Sequence, residues 1–272
     1  SSASFVSSFG EQANFKPRTF QGSRSKALNK KGLNLVHDND VPFGVDWTLD
    51  IAALRETERT QFVALDVGAN TGQTLQALAN RFHNRQIFCF EPVKNTFAAL
   101  QTKAAGYEGV EVFHTAMSDK VGTIEMLAEG TSGLNRVLEA DVPGGSQQQI
   151  ETVHATTVDQ FLAERQLSRI GLLKIDVEGY EMNVLRGAQR AIASRSIDFI
   201  LCECEFQDRP GEPHGDFFEI FSHLTQQGLR LVSVYTGGVD QNGWRFGDVL
   251  FRLEQSENGA FMNAPRSILA KR

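Results

Sequence analysis

From Gln61 onward, short apolar runs alternate with stretches whose apolar residues recur at helical spacing. FVALDVG (62–68) reads as a buried strand, and Leu75, Leu78, Ala79 and Phe82 then fall on one helix face. IFCF (87–90) predicts a second strand, followed by a helix carrying Phe97 and Leu100; VEVFH (110–114) is a shorter, more polar third. The rhythm resumes with LLKIDVEG (172–179), a helix over 180–187, and DFILCECEF (198–206). A helix with Phe217, Ile220, Phe221 and Leu224 follows, capped by Gly228, and LRLVSVY (229–235) and DVLFRLE (248–254) complete the set. Such alternation predicts an α/β fold built on a parallel sheet.

Residues 121–156 interrupt the pattern. TIEML (123–127) and IETVHATT (150–157) read as strands flanking a Gly- and Gln-rich piece, which predicts a hairpin-like insertion with a mobile tip. Thr157 then caps the short helix VDQFLAER. No internal repeat is present, so the reading is one domain over 45–254, an N-terminal extension (1–44) and a C-terminal tail (255–272).

Composition narrows the class. The 272 residues carry 27 bases and 33 acids, a net charge of −6, with 41% apolar residues. No run approaches the roughly 18 apolar residues of a membrane span. Residues 1–37 hold six bases and one acid, so this Ser-rich extension carries +5 and the remainder −11. It is expected to be poorly ordered in part rather than a nucleic-acid arm, and an acidic body opposes a broad phosphate interface. The opening SSASFVSSFG lacks the features of a secretory signal, and Cys89, Cys202 and Cys204 form no disulfide framework. Both point to a cytoplasmic protein with core thiols.

The most informative segment is LDVGANTGQ (65–73), where a strand turns through Gly68, Ala69, Asn70 and Gly72 into a helix. The Gly-x-x-x-Gly spacing departs from the dinucleotide fingerprint, and the Lys-Ser/Thr of a P-loop is missing. Asp66 at the strand end would repel pyrophosphate but could help hold an ammonium group. The next strand ends in FCFEP, placing Glu91 and Pro92 at its tip; a carboxylate there can accept from both ribose hydroxyls. Together these favour an adenosyl ligand, and the sign of Asp66 favours S-adenosylmethionine over NAD.

LDVGANTGQT, FEPVKNTF, LLKIDVEGYEMNVLRGA and GDVLFRLE resemble the successive signatures of the FkbM family of S-adenosylmethionine-dependent methyltransferases, over roughly 45–254. The resemblance implies a class I, Rossmann-like methyltransferase fold: a seven-stranded, mostly parallel sheet with one antiparallel strand and helices on both faces. It also implies O-methylation of a sugar, glycan precursor or secondary metabolite. By likeness, Asp66, Gly68, Asn70 and Gly72 line the methionine end, Glu91 takes the ribose, and residues 116–118, ending in Ser118, lie beside the adenine.

A hydroxyl acceptor needs a general base or a metal that lowers its pKa. Asp176, at the end of LLKID, is the first candidate. On CECEF, alternation sends Glu203 and Glu205 to one face and Cys202 and Cys204 to the other. Glu205, nearest the tip, is the candidate base, or shares magnesium or manganese with Asp176. His214, in the following loop, is a further candidate base or ligand, whereas Glu181 reads as a helix N-terminal acid. Lys174 reads as a buried partner for a carboxylate, and Trp244 and Tyr235 as aromatics flanking a Gly-rich segment. Two other classes stay open: an inactive cofactor-binding partner module and a nucleic-acid methyltransferase, for which no NPPY-like motif is present. The acceptor's identity and the oligomeric state are not readable.

Overall fold

The computed structural model describes residues 41–55, 61–128, 136–137, 149–207 and 215–254. Most of the N-terminal extension, the C-terminal tail, the Gly- and Gln-rich tip of the insertion and His214 lie outside the described residues.

The chain forms α1 (Trp47–Leu54), β1 (Phe62–Val67), α2 (Gln73–Arg81), β2 (Arg85–Phe90), α3 (Lys94–Ala104) and β3 (Val110–Phe113). Next come β4 (Ala116–Met117), β5 (Gly122–Ala128), β6 (Arg136–Val137), β7 (Gln149–Thr156) and α4 (Val158–Glu164). The last third holds β8 (Ile170–Ile175), α5 (Glu181–Gly187), α6 (Gln189–Ala193), β9 (Ile197–Glu205), α7 (Phe217–Gln226), β10 (Leu229–Asp240) and β11 (Gly243–Leu253).

Seven strands make one sheet in the order β10-β11-β9-β8-β1-β2-β3, with β11 antiparallel to both its neighbours and the β9-to-β3 pairings parallel. This is the class I methyltransferase arrangement. The chain winds outward from β1 through β2 to β3, then returns to β8 on the other side of β1. The strand order therefore reverses at β1 and β8, where α/β sheets open a crevice at the carboxyl ends of their strands.

Strand alternation divides the core in two. Leu65, Val67, Phe88, Phe90, Leu173, Ile175 and Ile200 face Phe161, Val184, Leu185, Ile192 and Leu224 of the helices α4 to α7. Phe62, Ala64, Ile87, Leu172, Phe199 and Leu201 face Ile51, Leu75, Leu78 and Leu100 of α1 to α3. Helix starts follow the side chains present: Asp46 accepts from Thr48 N at 2.8 Å, Thr157 from Gln160 N at 3.0 Å, and Asp216 from Glu219 N at 2.7 Å. Gly228 takes a φ of +83° just past α7. The segment ahead of β1 is tied down through Asp50, which accepts from Tyr235 Oη at 2.6 Å and Gly44 N at 2.8 Å. Among the described residues, no helix is long and apolar enough to cross a membrane.

The insertion is more than a hairpin. β5 and β7 pair antiparallel as expected, but β7 also pairs in parallel with β4, giving a separate sheet in the order β4-β7-β5-β6. Its inward face buries Val93, Ala116, Met126, Val153 and Ala155, with Ile124 at the margin.

Candidate cofactor and active site

The first turn of the site is set by a close approach. Gly68 has φ +78°, and a Cβ there would lie 1.8 Å from the carbonyl oxygen of Asp176. Only glycine lets the ends of β1 and β8 meet in this way. Gly68 N and Ala69 N both donate to Phe90 O, at 3.1 and 3.0 Å, which fixes the loop against β2. Asn70 follows in the left-handed region (φ 49°) and donates its N–H to Glu91 Oε2 at 3.0 Å. The other Glu91 oxygen accepts from Val93 N at 2.9 Å. Glu91 is thereby held by two backbone donors from two loops. Burial raises its pKa to about 7; the Val93 and Asn70 N–H groups oppose the shift, and Asp66 and Asp176 add to it.

These turns line a cleft of about 670 Å³, open to solvent. Sheet order fixes the sequence of its walls: Asp176, Glu178 and Tyr180 after β8, Gly68 and Asn70 after β1, Glu91 and Pro92 after β2, and Thr115, Ala116 and Met117 beyond β3. Ile124 and Met126 of the second sheet close the far end. One end is thus charged and polar, the middle carries an acceptor carboxylate, and the other end is apolar.

Of the residues expected at the cofactor, Gly68, Asn70, Glu91, Pro92 and Asp176 line the cleft, whereas Asp66, Ala69, Gly72 and Ser118 do not. Ala69 is buried in the core, and Gly72, at φ +83°, starts α2 against Leu100 and Lys103. Ser118 is fully buried under α5, where a Cβ on Gly187 would lie 2.0 Å from the Ser118 carbonyl oxygen. Asp66 is also fully buried, and neither of its oxygens accepts a hydrogen bond. Its nearest cation is Lys174 Nζ at 3.9 Å. The acid read as an ammonium holder therefore sits beneath the loop, facing Lys174 rather than the cleft. Sequence reading missed the apolar wall and Glu178; the inward alternation of Ile124 and Met126 was its visible trace.

Register explains the charged end. Asp66 pairs with Lys174 across β1 and β8, Ile175 with Cys202 across β8 and β9, and Glu203 with Asp248 across β9 and β11. Paired residues share a sheet face, so Asp66, Lys174, Asp176, Glu203 and Asp248 gather on the side of α1 and α2 at the strand tips. Lys174 Nζ donates to Asp176 Oδ2 at 2.7 Å. Burial works against that ammonium, but Asp176, Asp66 and Asp248 outweigh it and hold its pKa above the ordinary lysine value. Burial raises Asp66 and Asp248 to about 6, with Lys174 opposing both. Glu203 lies well above the ordinary carboxylate range through burial and then through Asp176, Glu178 and Asp248.

Glu178 reaches about 7 through burial and the neighbouring carboxylates. Glu181, the first residue of α5, is buried; its Oε1 accepts from Val177 N and Gly179 N at 3.1 Å each, and burial lifts it to about 7. Glu205 occupies the last position of β9, where its backbone N–H donates to Gly215 O at 2.8 Å. Carboxylate oxygens of Asp176, Glu178 and Glu203 lie within 4.8 Å of one another. Among the described residues, the grouping a divalent cation could bridge is therefore Asp176 with Glu178 and Glu203, not Asp176 with Glu205. Glu203 is level with Asp176, and Glu205 is two residues farther out. One oxygen of Asp176 is already taken by Lys174.

These raised values carry a stability consequence. Asp66 and Asp248 at about 6, and Glu91, Glu178 and Glu181 at about 7, hold protons in the folded chain that the unfolded chain releases above about pH 4. Between those limits the native state binds more protons, so its stability falls as pH rises. Thermal unfolding of the ligand-free protein should show a lower melting temperature at pH 8 than at pH 5. Equal values, or the opposite order, would contradict the burial of these groups.

A family model for the methyltransferase FkbM domain matches residues 66–231. The chain is 25% identical over 149 residues to the 2-O-methyltransferase NoeI of Sinorhizobium fredii, covering 50% of this chain and 60% of that protein. It is 31% identical over 158 residues to the 31-O-demethyl-FK506 methyltransferase FkbM of Streptomyces tacrolimicus, covering 47% and 60%. To the hexuronic acid methyltransferase AglP of Haloferax volcanii it is 26% identical over 156 residues, covering 56% and 60%. The chain spans about 60% of the length of each of these curated relatives.

Proposed function

The chain belongs to the FkbM methyltransferase family, and from that premise we propose that it is an S-adenosylmethionine-dependent O-methyltransferase acting on a hydroxyl of a sugar, glycan precursor or secondary metabolite. The observation that carries this reading is the Glu91 carboxylate, fixed by Asn70 N and Val93 N between a charged and an apolar end of one cleft. That order matches an amino-acid end, a ribose diol and a base. When bound, S-adenosylmethionine supplies an electrophilic methyl group on a sulfonium.

The chain's own residues do the rest. Gly68 and Asn70 bring backbone close to the methionine end, and Glu91 accepts from the ribose hydroxyls with its remaining lone pairs. Asp176, exposed to the cleft on one oxygen and held by Lys174 on the other, takes the proton of the acceptor hydroxyl. Glu178 and Glu203 stand beside it and keep the site anionic, which suits a cationic cofactor and disfavours a polyanionic acceptor. The printed specificities of the relatives, a 2-O position, a 31-O position and a hexuronic acid, support a hydroxyl acceptor.

The test is calorimetric titration with S-adenosylmethionine and with NAD, followed by transfer of labelled methyl to a panel of sugars and metabolite alcohols. Binding of NAD and not of S-adenosylmethionine would overturn the reading. Glu91→Ala should weaken S-adenosylhomocysteine binding by roughly 30-fold, the scale of losing charge-assisted hydrogen bonds at about 2 kcal/mol. Glu91→Gln should lose nearly as much, because both oxygens face backbone donors and an amide nitrogen cannot accept from either.

A further inference from the structure

We infer that the second sheet is the nucleobase wall of the cofactor cleft, with Met117, Ile124 and Met126 taking the flat face of an unphosphorylated adenosyl group. The inference rests on the reading of the cleft as an S-adenosylmethionine site and adds to it a set of residues outside the parallel sheet.

Alternation builds the wall. In β5, Ile124 and Met126 turn inward, while Thr123 and Glu125 are exposed. In β7, Val153 and Ala155 are buried, and Thr152 and His154 are exposed. The sheet thus has one apolar face, and the cleft meets it at Ile124 and Met126. Met117 joins from β4, which β7 pairs in parallel through Ala116↔Ala155 and Met117↔Thr156. Pro92 and Ala116 complete an end of the cleft that carries no charged side chain.

The wall is fastened to the loop that presents Glu91. Val93, which donates to Glu91 Oε1, is fully buried against Met126, Val153 and Ala155. One residue on, Lys94 N donates to Glu151 Oε2 of β7 at 3.0 Å. Glu151 thereby caps α3, whose preceding residue Val93 offers no side-chain acceptor. The ribose-side carboxylate and the apolar wall are parts of one packed unit.

The chemistry of that end selects its ligand. Two thioethers and a branched aliphatic side chain favour a planar, uncharged ring, and sulfur-to-aromatic contacts add to the burial. A phosphate would find Glu91 and Glu151 already on the neighbouring backbone donors, so like charge opposes a nucleotide phosphorylated near the ribose.

The test uses the full chain with methionine methyl groups isotopically labelled. Its four methionines are Met117, Met126, Met182 and Met262. Saturating S-adenosylhomocysteine, or 5′-methylthioadenosine, which lacks the amino-acid end, should move the Met117 and Met126 methyl resonances upfield through the ring current of the base. Met262 should stay in place. Ile124→Ala should weaken both ligands by roughly tenfold in calorimetry, the scale of losing two or three buried methyl-sized groups. If S-adenosylhomocysteine binds while the Met117 and Met126 resonances stay still, the wall is wrong and the cofactor reading survives. If the wild-type chain binds neither ligand, the cofactor reading fails and the wall falls with it. The resonance measurement needs no substitution, so it decides the matter even if Ile124→Ala folds poorly.

Discussion

Lys174→Met is expected to destabilise the folded chain by about 3–5 kcal/mol, the cost of leaving buried charge without its partner. The Lys174 side chain is 6% exposed and lies 2.7 Å from Asp176 and 3.9 Å from Asp66, which is itself fully buried. Methionine fills similar volume, so packing changes little and the loss isolates the charge. Without the ammonium, Asp66, Asp176 and Asp248 face one another across three strands, and only protonation can relieve them. The sign of the pH effect follows. Asp66 and Asp248 stand at about 6 with Lys174 present, because it pulls both down against burial. Removing it sends both higher, so at pH 8 the variant must either fold with buried carboxylates charged or take up protons from a dilute supply. The deficit should be largest at pH 8 and shrink as pH falls toward 5. Urea unfolding at the two pH values measures it, and a deficit under 1 kcal/mol at pH 8 would show that Lys174 is not the counter-charge of this face.

The same face shows where sequence reading reached and where it stopped. The strand runs, the helix faces, the caps at Thr157 and Gly228 and the glycine turn after β1 are local properties, set by alternation, helical spacing and backbone freedom, and they are legible in the chain. Alternation also placed Glu203 and Glu205 on one face of β9 before any fold was known. What it could not give was register. Nearness to the tip pointed to Glu205, whereas the pairing of Ile175 with Cys202 puts Glu203 level with Asp176. Asp66 was misplaced for a related reason. A strand-end position says that a residue is near the crevice but not whether it lies above the loop or beneath it. The insertion illustrates the third gap. The pairing of β5 with β7 is a hairpin contact, but that of β4 with β7 joins residues 116–117 to 155–156. Such a long-range pairing has no local signal, and with it went the role of Ile124 and Met126.

Asp176→Asn should cut turnover by roughly 10²–10⁴-fold, the usual contribution of a positioned base, while leaving cofactor affinity within about threefold. The separation of the two effects follows from how Asp176 is held. Oδ2 accepts from Lys174 Nζ at 2.7 Å, and the side chain is one-third exposed where it lines the cleft. An asparagine has the same shape, and its carbonyl oxygen can keep the bond to Lys174, so β8 and the Gly68 contact should stay in place. The amide cannot take a proton from an acceptor hydroxyl, however, and it presents a donor where the hydroxyl needs an acceptor. A residue that only positioned Lys174 would tolerate the change, because the bond survives. A residue that receives the proton would not. Glu203→Gln supplies the contrast: that carboxyl already holds a proton through burial and its acidic neighbours, so its amide should cost turnover far less than Asp176→Asn does. Single-turnover methyl transfer, read beside S-adenosylhomocysteine affinity, distinguishes these cases. If Asp176→Asn keeps half of the wild-type rate, or if Glu203→Gln is the more damaging change, the proton goes elsewhere and the base must be sought among the other carboxylates of the same row.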